Sequence, residues 1–74
     1  MEITIIPHAK VRMKLRGITD TMVRDCLKHP DATGKGYLDR KISYKQFGEN
    51  YIKVVYENGS PLRIITVMWT TKPQ

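Results

Sequence analysis

Thr19-Asp20-Thr21-Met22-Val23-Arg24-Asp25-Cys26-Leu27-Lys28-His29-Pro30 is the stretch that marks a helix at both of its ends. Thr19 is an N-capping residue type, and Asp20 complements the partial positive charge of a first helical turn. Ile18, one position earlier, can staple onto Val23. Met22, Val23, Cys26 and Leu27 recur at helical spacing as one apolar stripe. Lys28 and His29 suit the negative C-terminal end, and Pro30 stops the helix.

Upstream, Glu2 to Ile6 alternates as a short strand, and Pro7 breaks it while suiting a first helical turn. His8 to Arg16 holds no helix breaker, and Gly17 is a C-terminal stop for a first helix. Downstream the period changes from helical to two. Asp31 to Gly36 reads as loop or an irregular strand start, with an extra short strand near Gly34 to Leu38. Lys41 to Phe47 alternates, Gly48-Glu49-Asn50 turns, and Tyr51 to Glu57 is rich in Val, Ile and Tyr. Asn58-Gly59 signals a hairpin, and Leu62 to Trp69 is nearly continuously apolar, which predicts the most buried strand. The order is β-α-α-β-β-β, or β-α-α-β-β-β-β with the extra strand. Helices grouped before consecutive hairpins predict an α+β fold, two N-terminal helices packed on a mainly antiparallel sheet.

The 74 residues predict a single domain spanning 1–74, with a core thin enough for one sheet covered on one face. Hydrophobic residues make up 41%, enough to fold. The lone Cys26 leaves no internal disulfide, and no apolar run reaches the length of a membrane span. The opening Met1-Glu2-Ile3-Thr4-Ile5 lacks the basic and apolar regions of a signal peptide, so a cytoplasmic location is expected. The formal net charge is +6, spread from Lys10 to Lys72, which predicts a surface that attracts polyanions.

The first helix carries an unusual pattern. At about 100° per residue, Lys10 and Lys14 share a solvated side. The opposite arc has Val11 and Leu15 at one edge, Ala9 and Met13 at the other, and His8, Arg12 and Arg16 between them. A column of cationic and imidazole groups is thus expected on the face that meets the protein, where unpaired charge is costly. Two arrangements satisfy this. The arginines can bridge to Asp20, Asp25, Asp39 or Glu57 with their stems as aliphatic cover. Alternatively the column lines a cleft that binds phosphate or another anion.

The segment His8-Ala9-Lys10-Val11-Arg12-Met13-Lys14-Leu15-Arg16-Gly17-Ile18-Thr19 resembles the His-Ala-x-x-Arg-Met-x-x-Arg-Gly-Ile-[Ser/Thr] opening of a small bacterial and archaeal family that carries only a domain-of-unknown-function label. Pro30 and the closing Ile65-Thr66-Val67 strand fit the same pattern. That family is grouped loosely with the RelE/ParE/BrnT-like toxin superfamily, so the resemblance implies a RelE/ParE-like fold. It also implies a toxin acting on RNA or the ribosome, with a cognate acidic or DNA-binding antitoxin as partner.

Metal-independent RNA cleavage needs a proton acceptor, a proton donor and cations for the developing phosphorane charge. His8, Arg12 and Arg16 are the candidate catalytic residues, with His8 in the proton role. Arg40, Tyr44, Lys45, Lys53 and Tyr56 are the candidate nucleic-acid-binding residues, offering forked hydrogen bonds, charge and stacking faces. The alternative function is a non-catalytic module that binds nucleic acid or protein, and a sheet edge offers a route to homo-oligomers. Trp69 is expected to pack near the end of the sheet. No cofactor, metal or membrane contact is expected. Cys26-x-x-His29 has no second pair to complete a zinc site, and Gly34-Lys35-Gly36 lacks the spacing of a P-loop and reads as a flexible turn.

Overall fold

Pro7 opens helix α1 (Pro7–Arg16) directly after strand β1 (Ile3–Ile5) in the computed structural model, which describes residues 2–73. Gly17 ends α1 in the left-handed region at φ 69°. Its N–H donates to the Lys14 carbonyl and that of Ile18 to the Met13 carbonyl, at 3.4 and 2.9 Å. This is the paired closure that a glycine permits without a steric penalty, and buried Ile18 and Met13 supply its apolar contact. Thr19 then caps α2 (Asp20–Lys28), its Oγ1 accepting from the Met22 N–H at 3.2 Å. Ile18 and Val23, expected to staple, are both buried in the core.

After α2 come β2 (Ala32–Lys35), a single 3-10 turn (Tyr37–Asp39), β3 (Lys41–Phe47), β4 (Asn50–Glu57) and β5 (Leu62–Thr70). The five strands form one sheet in the order β1-β5-β4-β3-β2. β1 runs parallel to β5, and every other pair is antiparallel. The α+β class and the element order agree with the sequence. β2 forms as the irregular strand start read within Asp31 to Gly36, not near Gly34 to Leu38, and gives way at Gly36 to the 3-10 turn.

Both helices lie on the same face of the sheet. α1 rests on β5, and α2 spans β3 and β4. Ala9, Met13, Ile18, Val23 and Cys26 pack against Ile52, Val54, Ile64 and Val67. Residues that face each other across strands project to the same side, so Val54, Val67 and Ser43 share the helix face. The alternate residues Ile42, Tyr44, Lys53, Val55 and Met68 project to the other face, which no helix covers.

That one-sided cover overturns the expectation for β5. Its apolar run is not buried throughout: only Ile64 and Val67 are fully buried, while Ile65 and Met68 are half-buried. A register shift at Val55/Tyr56 sets Val55 opposite Thr66 and Tyr56 opposite Ile64, so Ile65 is the extra residue of a bulge.

Cys26 sits at 0% exposure in the apolar layer, and burial pushes its thiol pKa up to about 12. Nearby Lys45 opposes this shift and Asp31 adds to it, but desolvation dominates. The thiol therefore stays protonated through mildly alkaline pH and is a packing group, not a nucleophile. Native protein is expected to resist alkylation by iodoacetamide in mildly alkaline buffer, with full labelling once urea unfolds the chain. Rapid labelling of the folded protein would contradict this burial.

Candidate nucleic-acid interface

The column on α1 does not face the sheet as a unit. Val11 and Leu15 are 58% and 81% exposed, so the edge they were expected to bury is open to solvent. The residues of α1 that are buried are instead Ala9 and Met13. Ala9 has no side chain beyond Cβ, which lets the helix approach β5 there. His8 and Arg12 are consequently exposed. They bond to each other, with Arg12 Nε donating to His8 Nε2 at 2.8 Å.

Arg16 has a different partner. Its Nη1 donates to the Val67 carbonyl at 2.9 Å, and the Trp69 indole Nε1 donates back to the Arg16 carbonyl at 2.9 Å. β1 pairs only Leu62–Ile64 of β5, so beyond Ile64 one side of β5 has no strand neighbour. The guanidinium satisfies a carbonyl on that stretch, and the indole satisfies one of the last carbonyls of α1. Among the described residues neither Arg12 nor Arg16 forms an ion pair, which overturns the carboxylate-bridge expectation. Glu57, one of the expected partners, is engaged by Arg40 and Arg63.

The five strand candidates divide between the two faces. Tyr44 and Lys53 are directly opposed on the face without helices, with Tyr44 only 3% exposed. Lys45 lies on the helix face, where its Nζ donates to the His29 carbonyl at 3.0 Å and so closes the C-terminal end of α2. Tyr56 is also on the helix face, packed against the core. Arg40 stands before β3, 3.7 Å from Glu57 through Nε.

What the structure does assemble is a basic end of the sheet. Lys35, Lys41 and Tyr56 are register partners in a row across β2, β3 and β4. An open cleft of about 620 Å³ lies there, lined by Lys35, Gly36, Leu38, Asp39, Arg40, Lys41, Glu57 and Asn58. A second of about 430 Å³ adjoins it, sharing Lys35 and Lys41 and adding Tyr56. Glu57 is shared between Arg40 and Arg63 at 3.7 and 3.6 Å, too long for hydrogen bonds. Arg40 Nε is buried and makes no hydrogen bond. The turn bordering the cleft is strained: Leu38 and Asp39 both adopt positive φ, 58° and 62°. Such a conformation costs on the order of 1 kcal/mol for each non-glycine residue. Of this set, Arg40 and Tyr56 were legible as candidates. Lys35 and Lys41 were not, because Lys35 sits between two glycines and Lys41 opens a strand; the signal that marks them is their closeness in sequence to Arg40.

Neither His8 nor His29 lines either cleft, and the ionisable groups that do are Lys35, Asp39, Arg40, Lys41, Glu57 and Tyr56. The site is therefore equipped to hold an anion rather than to relay a proton through imidazole. Among the described residues no helix is long and apolar enough to cross a membrane.

The two different settings of the α1 arginines predict different stabilities. Arg16→Ala should lose about 1–2 kcal/mol, and Trp69→Phe about 1 kcal/mol, by urea unfolding. Arg12→Ala should change stability by less than about 0.5 kcal/mol. Equal losses at Arg12 and Arg16 would show that this division is wrong.

No curated protein and no solved structure matches the chain. A family model does, over residues 5–69, which takes in the last residue of β1, both helices, β2 to β4 and all but the last residue of β5. The chain belongs to the family described as Domain of unknown function (DUF4258).

Proposed function

We propose that this domain binds RNA through its phosphate backbone, at the basic end of the sheet, without cutting it. The observation that carries the reading is the register row of Lys35 and Lys41 beside Arg40 in an open cleft. Three cations line that cleft against two carboxylates, and the chain as a whole carries +6. Phosphates are recognised by such clusters through charge-assisted hydrogen bonds, with Arg40 able to present a fork and the lysines acting as point charges. Glu57 occupies the position of a counter-ion. A phosphate entering the cleft competes with it for Arg40.

Fluorescence anisotropy with labelled single-stranded RNA tests this reading. Affinity should fall steeply between about 50 and about 200 mM salt. Lys35→Glu and Lys41→Glu should each weaken binding about tenfold and flatten the salt dependence, whereas Lys53→Glu on the opposite face should do much less. Glu57→Gln should strengthen binding, since it frees two arginines. Absence of RNA binding at low salt, or equal binding by all these variants, would refute the proposal.

One observation favours a catalytic alternative: the exposed His8–Arg12 pair sets an imidazole beside a guanidinium. In that reading the domain is a metal-independent endoribonuclease, a toxin of the kind the resemblance implies, held in check by an acidic or DNA-binding partner. RNA cleavage by purified protein, lost in a folded His8→Ala variant, would decide for it.

A further inference from the structure

The turn between β2 and β3 carries a feature that phosphate binding leaves unexplained. Tyr37 and Leu38 are large, adjacent and 82% and 70% exposed. Leu38 holds a left-handed backbone, φ 58° and ψ 46°, while its side chain is largely exposed. The turn is nonetheless tightly closed. The Gly36 N–H donates to the Arg40 carbonyl at 2.7 Å, and the Arg40 N–H to the Tyr37 carbonyl at 3.3 Å. A closed backbone thus presents the exposed Tyr37 between Gly36 and Leu38, both of which line the cleft.

We infer that Tyr37 is a stacking platform for an unpaired base of single-stranded RNA whose phosphates lie among Lys35, Arg40 and Lys41. This rests on the RNA-binding reading of the cleft and adds to it the class of RNA and the residue that selects it. An aromatic ring with its faces free accepts any base by stacking, at little cost in conformational entropy. A base inside a duplex is already stacked on its neighbours and is not offered to such a ring. Tyr37 stands in the chain between Lys35 and Arg40, so that one bound strand can engage both the ring and the cations. Charge gives the affinity that salt weakens, and Tyr37 gives a part that salt does not.

Anisotropy titrations of a labelled oligouridine and of an RNA duplex of equal length separate these contributions. Tyr37→Ala should lower affinity for the oligouridine about tenfold. The slope of log affinity against log salt should stay that of the native protein, and duplex binding should be unchanged. Tyr37→Trp should restore oligouridine binding, and Tyr37→Ala should match the native protein in urea unfolding because the ring is exposed. Lys35→Glu, by contrast, should weaken both RNAs and flatten both salt slopes. Native affinity of Tyr37→Ala for oligouridine, or an equal loss for the duplex, would overturn the inference while leaving the phosphate cleft standing. Absence of binding to either RNA by the native protein at low salt would overturn both.

Discussion

Two helices of ten and nine residues cannot cover both faces of a five-stranded sheet, and this limit governs the rest of the molecule. All helix-derived core residues, Ala9, Met13, Val23 and Cys26, meet one side of β4 and β5. There apolar area is removed from water at roughly 25 cal/mol per Å², the main favourable contribution to a fold this small. The opposite face keeps Val55, Ile65 and Met68 half-buried although their strands are as apolar as the covered side. Which residues are core therefore depends on the side of the sheet that each meets, and the bulge at Val55/Tyr56 resets that alternation partway along β5.

A thin layer also leaves ends and edges to be closed, and cations perform much of that closure. Arg16 satisfies the Val67 carbonyl where β1 stops pairing, Trp69 satisfies Arg16 in return, and Lys45 satisfies the His29 carbonyl after α2. Each is a charged or polar group donating to a backbone carbonyl that would otherwise lack a protein partner. The parallel pairing of β1 is only three residues long, so the clasp between α1 and β5 continues the attachment of the N-terminal segment past the point where the ladder ends.

Part of the remaining charge gathers at one end of the sheet. Lys35, Lys41 and Arg40 converge there, with Glu57 as the acid among them and a strained turn at their border. Backbone strain beside an open cleft is a pattern associated with binding sites. The column His8, Arg12 and Arg16 shows the converse. Three residues that share a helical stripe have two environments: His8 and Arg12 are exposed and bonded to each other, while Arg16 is half-buried against the Val67 carbonyl.

How much was legible in the chain follows from the range of the forces involved. The limits of α2, the glycine closure of α1, the α+β class and the hairpin turns were readable, since caps, stops and alternation act over a few residues. The sequence by itself determined those local elements and the net charge of +6. Tertiary structure alone decided that α1 buries Ala9 and Met13 rather than its whole arc, that Lys45 closes a helix while Lys53 faces the open side, and that Lys35, Arg40 and Lys41 meet in one cleft. The reason is that these placements depend on strand register and on which face the helices occupy. Both are settled by burial summed over the whole sheet, and neither is encoded in the spacing of any one segment.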